Sequence, residues 1–195
     1  MSNYRIYVEK YPEFQVEARS LLHELNENLQ LELPSLRYLN VYDLFGFSEE
    51  LLEKSRYSVF GEIVTDSVTN DCDLSGSKFI AVEYLPGQFD QRAASAVDCV
   101  RLIDPSAQVS IKSSKLIILP GETSDEVILK IKKYYINAVE SREKDLARLV
   151  AMEQPEVAPV PVLEGLTALT EKELAPYCKK MGLAMNADDL REVVN

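Results

Sequence analysis

Histidine and cysteine are scarce: the 195 residues hold one histidine, His23, and three cysteines, Cys72, Cys99 and Cys178. The cysteines stand 27 and 79 residues apart with no CxxC pair, so they fit neither a zinc site nor a disulfide framework. A sparse, odd set of thiols suits a reducing cytosol. His23 lies between Leu22 and Glu24 with no second histidine and reads as a boundary residue. Cys99, beside Val100, reads as a small core residue, Cys72 sits in a polar loop and Cys178 on an apolar stripe. None has a base in sequence reach that would mark a nucleophile. No apolar run approaches the roughly 18 residues of a membrane span. MSNYRIYVEK at the N-terminus has no apolar core of a signal peptide. The expectation is a cytoplasmic protein with no membrane partner and no metal or catalytic residues of its own.

Charge of one sign is also short. Twenty-one basic residues face 32 acidic ones, a net charge of −11. Nucleic-acid phosphates would be repelled by that field, because binding them needs clustered Lys and Arg. The deficit is uneven: residues 1–75 carry net −8, residues 76–147 net zero and residues 148–195 net −3. Apolar residues make up 46%, enough for a sizeable core.

The first two segments read as two copies of one unit. Ile6-Tyr-Val8-Glu9 recurs as Ile80-Ala-Val82-Glu83 and Pro12 as Pro86, at a spacing of 74. Phe14 and Ala18 match Phe89 and Ala93 at 75, and Ser48-Glu-Glu50 matches Ser124-Asp-Glu126 at 76. That drift is what loop insertions produce, and the period is too long for a solenoid. In the first copy Tyr4, Ile6 and Val8 alternate as a strand, and Ala18, Leu21, Leu22, Leu25 and Leu29 form a helical stripe. A strand follows over Leu36–Leu44, then a helix capped by Ser48, then a strand over Tyr57–Val64. The second copy predicts a strand over Lys78–Tyr84 and a helix stripe from Phe89 through Ala93, Ala96, Val97 and Val100 to Ile103. A long strand over Gln108–Leu119 and a helix capped by Ser124 complete it, with Val127, Ile128, Ile131 and Tyr135 inward.

The fold class expected is therefore α+β: two β-α-β-α units, each a small sheet with helices on one face, buried by packing the sheets or the units together. Domain boundaries follow as 1–147 for the doubled unit (repeats at about 1–65 and 76–147), 148–164 as a proline-rich linker and 165–195 as a short helical segment. In that segment Thr170-x-x-Glu173 is a capping box. Leu174, Tyr177, Cys178 and Met181 form a stripe, Gly182 stops the helix, and Asn186 caps another with Leu190, Val193 and Val194 on one face. A fresh apolar face so near the end reads as a cut from something longer.

Four motifs carry a resemblance. They are Tyr4-Arg-Ile-Tyr-Val-Glu-Lys10, Glu83-Tyr-Leu-Pro-Gly-Gln-Phe-Asp-Gln-Arg-Ala-Ala-Ser-Ala96, Tyr134-Tyr-Ile-Asn-Ala-Val-Glu-Ser-Arg142 and Gly182-Leu-Ala-Met185. In this order, across essentially the whole chain, they resemble the N-terminus of large-form phosphoribosylformylglycinamidine synthase. That domain resembles a fused dimer of the small PurS subunit, and the stretch from about Gly165 resembles the start of the family's helical linker domain. The resemblance implies a parent ligase of purine synthesis that uses formylglycinamide ribonucleotide, ATP with magnesium, and glutamine. It implies that the synthetase and glutaminase domains, and with them the catalytic residues and the ATP and magnesium sites, lie beyond Asn195. The fragment itself is then inactive and cofactor-free, and a monomer, since the duplication already supplies two copies. Its partners are the synthetase and glutaminase domains, which it organises for ammonia channelling. One departure stands out: Asn137-Ala-Val-Glu-Ser-Arg replaces the family's Asn-Pro-Val-Asp-Ser-Arg.

Two clusters are candidates for ligand or inter-domain contact. Asp90, Gln91 and Arg92 follow Pro86-Gly87 at a strand-to-helix turn. Arg92 offers a planar fork for a carboxylate or phosphate. Alternatively, Asp90 stabilises the helix start and Arg92 meets Asp90 or another domain. The first copy has Gln15-Val16-Glu17 there, so the halves differ. Asn137, Ser141 and Arg142 follow a helix bearing Lys130, Lys132 and Lys133, the chain's one basic run. A phosphate site is one reading; a solvated face matched to the helix dipole, with Arg142 docking on the remainder of the enzyme, is the other. Glu9 and Glu83, equivalent across the repeats, read as salt-bridge or capping residues rather than an acid–base pair. The rival function is a small-molecule-binding regulatory module with a duplicated ferredoxin-like fold and a ligand at the seam between copies.

Overall fold

The structure, a computed structural model, describes residues 2–150, 159, 160, 162, 163 and 165–194. It divides into two compact units, Met1–Pro155 and Glu156–Asn195. Strand β1 (Ser2–Lys10) leads to helix α1 (Val16–Leu29), strand β2 (Arg37–Phe47), helix α2 (Glu49–Ser55) and strand β3 (Asp66–Thr69). Strand β4 (Ser77–Tyr84) leads to helix α3 (Gln91–Ile103), strand β5 (Ser110–Pro120), helix α4 (Asp125–Tyr135) and strand β6 (Ser141–Glu143). The class is α+β.

The strands form one antiparallel sheet, in the order β3-β1-β2-β5-β4-β6. Two separate small sheets, with the sheets or the units packed together, are expected from sequence; the structure instead joins the strands edge to edge in one sheet. β2 and β5 pair over nine residues, from Arg37 opposite Ile118 to Phe45 opposite Ser110. Pairing satisfies both rows of backbone groups, which face-to-face packing would leave as open edges. The central strands accordingly bury side chains on both faces.

One face carries the helices, and they cross over. Helix α1 buries Ala18, Leu21 and Leu25 with Ile80 and Val82 of β4, Ile117 and Leu119 of β5, and Ile128 and Ile131 of α4. Helix α3 buries Ala93, Ala96 and Val100 with Ile6 and Val8 of β1, Tyr42 and Leu44 of β2, and Leu51 and Leu52 of α2. Each of these two helices thus shares its core with strands of the other half of the sequence while also touching its own, α1 against β2 and α3 against β5. On the opposite face Leu39, Val41, Ala81, Leu116 and Ile118 are buried beneath Tyr7, Cys72, Leu74 and Leu146.

Local chemistry fixes the helix starts. The Leu51 N–H donates to Ser48 Oγ at 3.1 Å, and the Val127 N–H donates to Ser124 Oγ at 3.3 Å. Three expectations are corrected. Tyr57–Val64 is not a strand: α2 runs on into a wider turn over Arg56–Phe60, and the strand comes later, at Asp66–Thr69. The alternation there was misleading because Phe60 turns inward, its ring 5.1 Å from Tyr42 and 6.2 Å from Phe47. Phe89 is not on the helix stripe; it precedes α3 and is 75% exposed. Ser141 and Arg142 lie in edge strand β6, paired with β4, rather than in a helix exit.

The second unit holds a short 3-10 turn (Leu166–Ala168), helix α5 (Glu171–Met181) and helix α6 (Ala187–Val194). Leu174, Cys178 and Leu190 form its small core, while Met181 and Val193 stay exposed. The Thr170 N–H donates to Glu173 Oε2 at 2.8 Å, and Gly182 closes α5 with φ +66°. Much of the proline-rich stretch read as a linker, residues 151–158, 161 and 164, lies outside the described residues. No helix among the described residues is long and apolar enough to cross a membrane.

Candidate functional site

The pairing of β4 with β5 stops at Glu83 opposite Ser114, and β5 begins further out, at Ser110, so the first residues of β5 have no strand on that side. A cleft of about 980 Å³ opens there. The start of α3, the turn over Leu85–Phe89, the outer end of β5 and the segment from Arg142 to Val150 enclose it.

Asp90 organises one wall. One carboxylate oxygen accepts from the Ala93 N–H (2.9 Å) and from Ser113 Oγ (2.8 Å), and the other accepts from the Ser113 N–H (2.8 Å). It thus caps α3 and stands in for the missing strand partner of β5. At the helix N-terminus Asp90 supplies the negative charge that end favours.

The other wall is an ion network on the helix-free face. Asp43 is 2% exposed and lies between Arg5 (Nε to Oδ1, 2.5 Å) and Lys144 (Nζ to Oδ2, 2.7 Å). Lys144 also donates to Glu83 Oε2 at 3.2 Å, and Arg142 donates to Glu83 Oε1 at 2.9 Å from Nε. Arg5 further donates to the carbonyls of Leu146 and, at 2.7 Å, Arg148. Three cations on two carboxylates leave the wall one positive charge in surplus. A buried ion is tolerated only when paired and hydrogen-bonded, and Lys144, 4% exposed, satisfies both conditions. The network pins residues 141–148 across the sheet.

The six candidate residues separate accordingly. Asp90 and Arg142 line the cleft. Arg92 turns away to Tyr42 OH at 3.4 Å, Gln91 is exposed, and neither lines it. Asn137 and Ser141 shape the turn into β6: Asn137 Oδ1 accepts from the Val139 N–H at 3.1 Å, and Ser141 Oγ donates to the Asn137 carbonyl at 3.0 Å. Of the basic run, Lys130 pairs with Glu126 (3.1 Å) and Lys132 with Glu143 (2.7 Å). Glu9 pairs with Arg37 at 2.6 Å, as its repeat equivalent Glu83 pairs with Arg142. Sequence reasoning missed Asp43, Arg5 and Lys144. The available signal was Asp43 itself, the lone carboxylate of β2 and flanked by Val41, Tyr42, Leu44 and Phe45, which demands a cation from elsewhere.

Chemically, the cleft offers charge-paired, hydrogen-bonding walls around a partly apolar floor that includes Val97, Val109 and Ile111. Its lining contains no histidine and no cysteine. No group of three or more His, Cys, Asp or Glu able to hold a metal occurs among the described residues. Such a surface suits recognition of a polar partner. A scan against protein-family models and a search of curated proteins find no match to the chain.

Proposed function

We propose that the chain is a non-catalytic organising module: a duplicated PurS-like unit, followed by the start of a helical linker, that belongs to large-form phosphoribosylformylglycinamidine synthase. The observation that carries this reading is the convergence of three of its motifs in one ion network beside the cleft. Arg142, from the motif at 134–142, bonds Glu83, from the motif at 83–96, at 2.8 Å. Lys144 links Glu83 to Asp43, and Asp43 holds Arg5, from the motif at 4–10. Motifs that are far apart in sequence and meet at one surface suggest a shared docking role. The strand order, with the two halves meeting at β2 and β5, supports a duplicated unit joined as a fused dimer would be.

In this reading the module holds the synthetase and glutaminase domains in register, so that ammonia released from glutamine reaches the activated formylglycinamide ribonucleotide. ATP and magnesium act on the synthetase domain, not here. The same reading makes the chain cytoplasmic. The test is reconstitution. The purified chain should give no product with formylglycinamide ribonucleotide, ATP, magnesium and glutamine. Added to a synthetase–glutaminase protein lacking this segment, it should restore glutamine-dependent turnover. Turnover by the chain alone, or no restoration, overturns the proposal.

A further inference from the structure

A second polar site lies on the helix-bearing face, at the seam between the two halves. Helices α1 and α3 cover opposite halves of the sheet, and β2 and β5 run between them. Tyr38, Asn40 and Tyr42 of β2 and Lys115 of β5 share this face, since Asn40 stands opposite Lys115 and Tyr38 opposite Ile117. Arg92 of α3 reaches in from one side, and Glu17 of α1 faces it from the other.

Two cations, the half-buried Lys115 and the exposed Arg92, therefore share this face without an ion-paired carboxylate. Lys115 Nζ donates to the neutral Asn40 Oδ1 at 2.6 Å and lies 4.9 Å from the centre of the Tyr38 ring. Arg92 Nη1 donates to the neutral hydroxyl of Tyr42. Among the described residues no carboxylate comes within ion-pair distance of either. Glu17 acts on both only at longer range, and Asp90, two residues from Arg92, has both oxygens engaged by Ser113 and Ala93. By contrast, Lys144 has two carboxylates and Arg5 has one held at two points. With 32 acidic side chains available, the missing partner at the seam is not a matter of supply. Burial and then the charge of Arg92 lower the Lys115 ammonium below its ordinary value.

We propose that Arg92 and Lys115 form a receptor for a small oxyanion, the phosphate or carboxylate group of a metabolite, at the seam between the two halves. The donors suit such a group. Arg92 has guanidinium N–H groups beyond the one it gives Tyr42, and Lys115 has two ammonium N–H groups beyond the one it gives Asn40. The hydroxyls of Tyr38 and Tyr135 lie 2.9 Å apart, and their mutual bond uses one of two hydrogens, leaving one to donate. The proposal does not depend on the organising role assigned above.

The whole chain is titrated at constant ionic strength with inorganic phosphate, with glutarate and with chloride. Binding is followed by NMR at the Arg92 Nε–H and the Lys115 side chain. Saturable shifts with phosphate or glutarate, absent with chloride, are expected; the stronger of the two identifies the group recognised. Arg92→Gln and Lys115→Met should each weaken binding by about tenfold or more. Lys115→Arg should keep it, and Lys133→Gln, on the exposed side of α4, should leave it unchanged. Should Lys115→Met fail to fold, the wild-type shifts and Arg92→Gln decide. No saturation with either anion, or saturation that survives both Arg92→Gln and Lys115→Met, overturns the assignment.

Discussion

Asp43 stands in an apolar strand with Arg5 and Lys144 on either side, while Arg142 reaches the same network from the exposed rim. Position decides what each is worth. Replacing Asp43 by Ala strands Lys144 and Arg5 beside a gap that water reaches poorly and should cost about 3 kcal/mol. Replacing Arg142 by Ala, its side chain half exposed, should cost less than about 1 kcal/mol. Urea denaturation midpoints of the two variants test the contrast, and equal losses would contradict it. Single residues were legible where their chemistry is local. Ser48, Ser124 and the Thr170–Glu173 box could be read as caps because a cap needs only its next few neighbours. Lys144 was not legible, because its partners are Asp43 and Glu83, 101 and 61 residues away.

Among the elements, β2 bends where the register with β1 slips: Tyr4 is opposite Leu44, but Ser2 is opposite Phe47. The extra residue is a bulge, and Gly46 in it adopts φ +79°. A Cβ there would meet the Gln108 carbonyl at 2.6 Å, in the turn that leads into β5. Gly46→Ala should therefore destabilise by about 2 kcal/mol, from the backbone conformation and the clash together. A thermal unfolding midpoint that stays at the wild-type value would refute this. Strands and helices with strong periods were readable: β4 over Ser77–Tyr84 against a reading of 78–84, and α3 over Gln91–Ile103 against 89–103. The segment after α2 was not, since Tyr57 and Val59 alternate by type while the backbone still coils. There the inward turn of Phe60 against Tyr42 and Phe47 overrode local pattern.

At the scale of the molecule, the α+β class and the order of strands and helices could be read from the sequence, but not the joining of β2 to β5. The choice between edges and faces depends on backbone groups that no composition records. The exchange of α1 and α3 was equally hidden, and it carries a prediction. Cut between Ser75 and Gly76, neither piece can close a core, because α1 needs β4, β5 and α4 while β1 and β2 need α3. Each piece alone should lack a cooperative unfolding transition, and mixing the two should restore one by circular dichroism. A cooperative transition in the first piece alone would refute it.

The same crossing of helices sets an order of events at the ribosome. Helix α1 is complete once Leu29 has emerged, yet the apolar surface that receives it runs on to Ile131. For about a hundred residues of synthesis, at roughly 5–20 residues per second, its leucine stripe lacks part of its native surface and has at first Leu33, Leu36 and Tyr38 beside it. The nascent chain therefore carries an amphipathic helix partly exposed for several seconds. The fourteen acidic side chains of the first 75 residues keep that waiting segment charged, and so apart from its neighbours on the same message.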